Sequence, residues 1–145
     1  MVTFQDYLQA LKRSTVYPTS RLYFLNNDGT PYYEITDDYI IGGSINASFN
    51  NGVRRTASIS LNNEDGRYDS LIQRGILLTQ KVKLYAGLHL ENGEEYLISQ
   101  GVFYINNPMS QYQVGAKIIQ LNLVDKWGAL DGTVGGTLDG IYQIN

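Results

Sequence analysis

The stretch from Ser44 to Leu61 reads SINASFNNGVRRTASISL. Ile45, Ala47 and Phe49 alternate with polar residues in its first half, and Ala57, Ile59 and Leu61 do so in its second. Successive side chains of a strand point to opposite faces of a sheet, so each half predicts a β-strand with its apolar row turned inward. Asn50-Asn51-Gly52-Val53 lies between them and predicts the turn. The returning strand shows Thr56, Ser58 and Ser60 on its other face. Small hydroxyls in a row suit either a wet face or a flat contact surface. Arg54 and Arg55 enter the strand side by side, so their side chains are expected on opposite faces.

The next residues, LNNEDGRYD from Leu61 to Asp69, have the polar, glycine-centred look of a calcium loop. An EF-hand loop takes oxygen ligands at its first, third, fifth and twelfth positions, with glycine at the sixth. With Gly66 in the sixth place, Asn63 and Asp65 suit, but Leu61 and Ile72 fall where the first and last ligands belong. Neither can bind calcium. Asn, Asp and Gly also make surface turns through left-handed backbone and local hydrogen bonds. The segment is therefore expected to build structure.

The same period of two recurs on both sides of this stretch. RLYFL and TPYYEI flank the turn NNDG, and Pro31 restricts that hairpin to the periphery of a sheet. KVKLYA places Val82 and Leu84 inward, ENGE is an Asn-Gly turn, and EYLIS and GVFYIN follow as short strands. Asn106-Asn107-Pro108 breaks the pattern, MSQYQVG reads as a loop, and AKIIQLNLVD is the longest strand candidate. DSLIQRG, Asp69 to Gly75, reads as a short helical turn. At the N-terminal end the period changes. Phe4, Tyr7, Leu8 and Leu11 share one helical face behind a Thr3–Asp6 capping box, which predicts a helix over about 3–13. So short a helix must dock, and its own domain is the expected site.

About eight short strands separated by turns predict an all-β fold, a mainly antiparallel barrel or sandwich, with one short N-terminal helix. Residues 1–132 form a single barrel-like domain in this reading. Residues 133–145 form a Gly-rich boundary, expected to lead to further domains.

Composition narrows function. The chain has 145 residues, a net charge of −3 and no cysteine. No basic field is available to hold nucleic acid. Thiol catalysis, disulfides and zinc–thiolate sites are excluded. No run approaches the roughly 18 apolar residues that suggest a membrane span. The 12 tyrosines suit strands, and they also suit protein interfaces, where an apolar ring with a polar tip is favoured.

Chemistry-bearing residues are sparse. His89 is the single histidine and lies beside the ENGE turn, where a hydrogen-bonded or exposed histidine is expected rather than a catalytic base. Asp37, Asp38, Glu64, Asp65, Glu94, Glu95, Asp125, Asp131 and Asp139 fall mostly in predicted turns, and nothing selects a pair facing across a sugar. The glycines at 132, 135, 136 and 140 match no phosphate-binding loop. Trp127 is expected to be buried, although with nearby tyrosines it could stack a sugar. No cofactor, no metal and no enzymatic activity are expected.

Four ordered pieces carry a resemblance: RLYFLNNDG, GGSINASFNNGVRRTASISLNNEDGRYD, KVKLYAGLHLENGEEYLISQGVFYINNP and LNLVDKWGALDG. Together, over about residues 21–132, they resemble the N-terminal region of the tail-tip hub and baseplate proteins of phages and prophages of Gram-positive hosts. The resemblance implies a tail-tube-like β-barrel and a structural place in the virion tail, in a homo-oligomeric ring contacting other tail proteins. It carries over Arg54, Arg55, Tyr85, Gly87, Phe103, Asp125, Lys126 and Trp127 as structural signatures, and no catalytic residue. In such a ring, the helix face (Phe4, Tyr7, Leu8, Leu11) and the row Thr56, Ser58, Ser60 are the expected neighbour contacts. The alternative reading is a carbohydrate-binding β-sandwich module for a receptor or cell wall.

Overall fold

A computed structural model describes residues 2–48, 54–70, 80–113 and 116–130. The elements are α1 (Phe4–Leu11), β1 (Pro18–Leu25), β2 (Pro31–Ile35), β3 (Ile40–Ser48), β4 (Arg54–Asn62), β5 (Lys81–His89), β6 (Glu95–Gln113), β7 (Ala116–Asp125) and α2 (Lys126–Leu130). The strands form one antiparallel sheet in the order β2-β1-β5-β6-β7-β4-β3. The fold is all-β with a short N-terminal helix, as the alternation predicts. The sheet is not closed into a barrel, because its outer strands β2 and β3 do not pair with each other.

The sheet nevertheless curls. Residues 36–39 alone connect β2 at one edge to β3 at the other, and so short a linker reaches roughly 17 Å at most. Curling lets one face bury itself. Leu22, Ile35, Ala57, Ile59, Leu61, Val82, Leu84, Phe103, Ile105, Ile119, Leu121 and Leu123 belong to a single buried cluster. Tyr68 and Tyr39 meet edge to face at 6.2 Å, and burial pushes the Tyr68 phenol up to about 12. The Asn62 amide donates to the Tyr39 carbonyl, which ties the β2–β3 connector to the end of β4.

Three expectations change. First, EYLIS and GVFYIN are parts of one strand, β6, which continues through Pro108 to Gln113. Gly101, at φ +116°, sits at a bulge where the ladder jumps from Leu84↔Gly101 to Tyr85↔Ser99. A second shift lies between Asn106↔Asn122 and Met109↔Gln120. That bulge takes up the proline, which has no amide hydrogen for the ladder. The strand pairs with β5 along its first part and with β7 along its second. Second, Ile45 and Ala47 lie on the core side, opposite Ala57 and Arg55, yet both are exposed. As an outer strand, β3 has a paired neighbour on one side only among the described residues. Phe49, the turn at 50–53, most of the Asp69–Gly75 turn and the Gly-rich run 133–145 lie outside the described residues. Third, Trp127 is 48% exposed. It stands in the first turn of α2, where Asp125 Oδ1 accepts hydrogen bonds from the Trp127 and Gly128 amides.

The helix forms as its signals predict. Thr3 caps it, and the Thr3–Asp6 capping box is complete. It docks on its own domain through Ala10, which clusters with Leu88 and Leu90 and with the half-buried Tyr7 and Tyr96.

Candidate functional site

The outward face of β1 and β5 carries a compact polar cluster. In β1, Arg21 and Thr19 share one face. Thr19 lies opposite Gly87 of β5, and His89 lies opposite Glu95 where β5 turns into β6. Arg21 grips Glu95 through Nε and Nη2 at 2.8–3.1 Å. Thr19 is 4% exposed, and its hydroxyl reaches Glu95 at 3.1 Å and Asp37 at 3.3 Å. His89 Nε2 lies 2.9 Å from Asp37 Oδ2, and its Nδ1 lies 3.4 Å from Glu95 Oε1. Glu34 stands 3.8 Å from Arg21 and accepts a hydrogen bond from the Tyr23 hydroxyl.

Electrostatics follow from this packing. Burial raises the cost of charging Asp37, but the His89 hydrogen bond, the Arg21 guanidinium and the Thr19 hydroxyl together hold its carboxyl below the usual range. Burial likewise opposes the charge on Arg21, and the Glu95 hydrogen bonds and the surrounding carboxylates outweigh it, so its pKa is raised. Asp37, His89 and Glu95 present ligand-type atoms within 4.8 Å of one another. Yet both Glu95 oxygens already hold Arg21, and an added cation would meet that guanidinium. The cluster is an ion-paired clamp between the β2–β3 connector and the sheet. Its members scatter along the chain, with Arg21 74 residues from Glu95, and no local signal marks them.

The calcium-like loop spends its polar groups on itself and on β7. Asn63 is fully buried; it donates to Asp69 at 2.7 Å and accepts from the Tyr68 amide at 3.0 Å. Asp65 holds Arg67, and Asp69 pairs with Lys117. The loop builds structure.

Four signature residues converge at one end of the core. The Arg55 amide donates to Asp125 Oδ2 at 2.8 Å, while its guanidinium donates to the Gln100 carbonyl and lies 5.6 Å from the centre of the Phe103 ring. The second Asp125 oxygen caps α2 at Trp127. Tyr85 lies elsewhere, in edge contact with Tyr23 at 5.6 Å. At Gly87 a Cβ would overlap the Tyr96 carbonyl. Lys126 is exposed, and the Arg54 side chain lies outside the described residues.

The expected contact residues fall on two separate surfaces. Phe4 and Leu11 are 54% and 46% exposed, while Tyr7 and Leu8 are half-buried. Thr56 is exposed; Ser58 and Ser60 are half-buried, and Ser58 accepts a hydrogen bond from Gln120. The helix packs at Leu88, Leu90 and Tyr96 of the β5–β6 end, whereas the hydroxyl row lies on β4, beyond β6 and β7. A cleft of about 590 Å³ runs between β3 and the β1–β5 pair, lined by Thr19, Ile41, Ile45, Leu84 and Ala86 among others.

No family model matches the chain, and no curated protein matches it. Among solved structures, it is similar to part of the Francisella PdpA-VgrG complex in two forms. With the lidded form the TM-score is 0.47 at 12% identity, covering 82% of this chain and 17% of that one. With the half-lidded form it is 0.47 at 11% identity, covering 88% and 21%. The chain thus spans about a fifth of the length of these two chains.

Proposed function

We propose that the chain is a structural, non-enzymatic domain of a phage or prophage tail tip. In this reading it is a hub or baseplate ring domain that links the tail tube to distal tail parts and resides in the virion tail. The observation that carries the reading is the outward side of α1. The helix has found its packing through Ala10 and Tyr7, yet Phe4 and Leu11 stay open to solvent, and the exposed Val16 and Tyr17 follow. Exposed apolar groups along one short segment fit burial against another subunit. The ordered motifs over residues 21–132 support the same assignment.

The test joins place to contact. Antibody to this domain, with immunogold electron microscopy of induced lysates, is expected to label tail tips; gold on wall fragments with bare tails sinks the reading. Phe4→Glu combined with Leu11→Glu is expected to abolish incorporation into tails and leave the circular dichroism of the purified chain unchanged.

A second reading, a carbohydrate-binding module, is favoured by one observation: the exposure of Trp127. Host-wall polysaccharide is then expected to shift the emission of this single tryptophan. Unchanged emission at saturating polysaccharide removes that reading.

A further inference from the structure

Strand β3 is an outer strand of the sheet, and among the described residues no strand pairs with its far side. A bare edge presents a row of backbone donors and acceptors that templates a further strand. The opposite edge is guarded. There β2 runs PYYEI, opening on a proline and carrying a glutamate. Strand β3 runs IIGGSINAS, with neither charge nor proline, and is exposed from Ile41 to Ser48.

We infer that β3 pairs antiparallel with β3 of a second copy of this chain, about a two-fold axis at Ile45. The ladder with β4 is irregular between Ile40 and Gly42 and regular from Gly42 to Ser48. Ile45 is the midpoint of that regular stretch, so an axis there uses all of it. On the core-side face, Ile45 meets the partner's Ile45, and Gly43 meets the partner's Ala47. On the other face, Ser44 meets the partner's Asn46, and Gly42 meets the partner's Ser48. Apolar or small residues face their own kind, polar residues do the same, and no like charges oppose each other. Any extended strand would satisfy the backbone; these side chains select a copy of β3. Ile45, 37% exposed in the single chain, gains an apolar neighbour. The contact is isologous and closes on itself. It is therefore distinct from the ring contact through α1 proposed above, and either one stands if the other fails.

The chain has no cysteine, so one introduced thiol reports without ambiguity. Ile45→Cys is expected to give a covalent dimer on mild oxidation. Ser44→Cys mixed with Asn46→Cys is expected to cross-link far more than Ser44→Cys alone. In sedimentation equilibrium the unaltered chain is expected to show the dimer mass and Ile45→Lys the monomer mass, with equal circular dichroism. A monomer mass for the unaltered chain at its highest soluble concentration overturns the inference, and that measurement needs no variant to fold. Preferential cross-linking of Ile45→Cys to Tyr33→Cys on β2 also overturns it, by showing head-to-tail pairing of the two edges.

Discussion

Arg21 and Glu95, 74 residues apart, form a forked ion pair in which the guanidinium reaches both carboxylate oxygens. The two side chains are 19% and 18% exposed. Removing one partner strands the other in a site with little water. Glu95→Gln is therefore expected to lower unfolding stability by about 2 kcal/mol, read as a drop in the urea midpoint at unchanged slope. An Arg21→Met, Glu95→Leu double variant should lose less than the sum of the single changes.

Acid should loosen the same clamp through Asp37. Its carboxyl is held below the ordinary value in the folded chain, so the unfolded chain binds the proton more readily. The stabilisation from Asp37 is present in full above the unfolded pKa of about 3.9 and is lost as pH falls through the lower folded value. Asp37→Asn is expected to destabilise the protein near neutral pH and to converge with the unaltered chain in strong acid. Paired urea titrations across that range read the difference directly.

Gly101 stands at φ +116°, and a Cβ there would lie 2.5 Å from the Arg55 guanidinium. Gly101→Ala is expected to cost roughly 1–3 kcal/mol through backbone strain and that overlap. Combining it with Arg55→Gln should recover the part due to overlap, and a double-mutant cycle by chemical denaturation separates the two contributions.

Local patterns were readable where one neighbourhood decides the outcome. Ala57, Ile59 and Leu61 are buried as their alternation predicts, and Thr3 caps α1 as its spacing to Asp6 predicts. Position in the sheet was readable only where a proline marks it: Pro31 predicts a peripheral hairpin, and β2 is an outer strand. Ile45 has the same alternation as Ile59, but only the strand order makes β3 an edge and leaves Ile45 exposed. Pro108 reads as a break, because the bulge that accommodates it depends on register with β7. The clamp was hidden for a related reason: Thr19, Arg21, Asp37, His89 and Glu95 meet only after β1, β5 and β6 have aligned.

The strand order also governs how this chain comes into being. β1 has β5 as its inner neighbour, and β4 has β7. A nascent chain emerging N-terminus first exposes β1 through β4 before either inner neighbour exists. Contacts so distant along the chain slow folding, toward the millisecond-to-second range of β-rich domains. During that wait the uncharged β3 and the apolar row of β4 are open to wrong partners, so the hazard of aggregation is greatest while the chain is still being made.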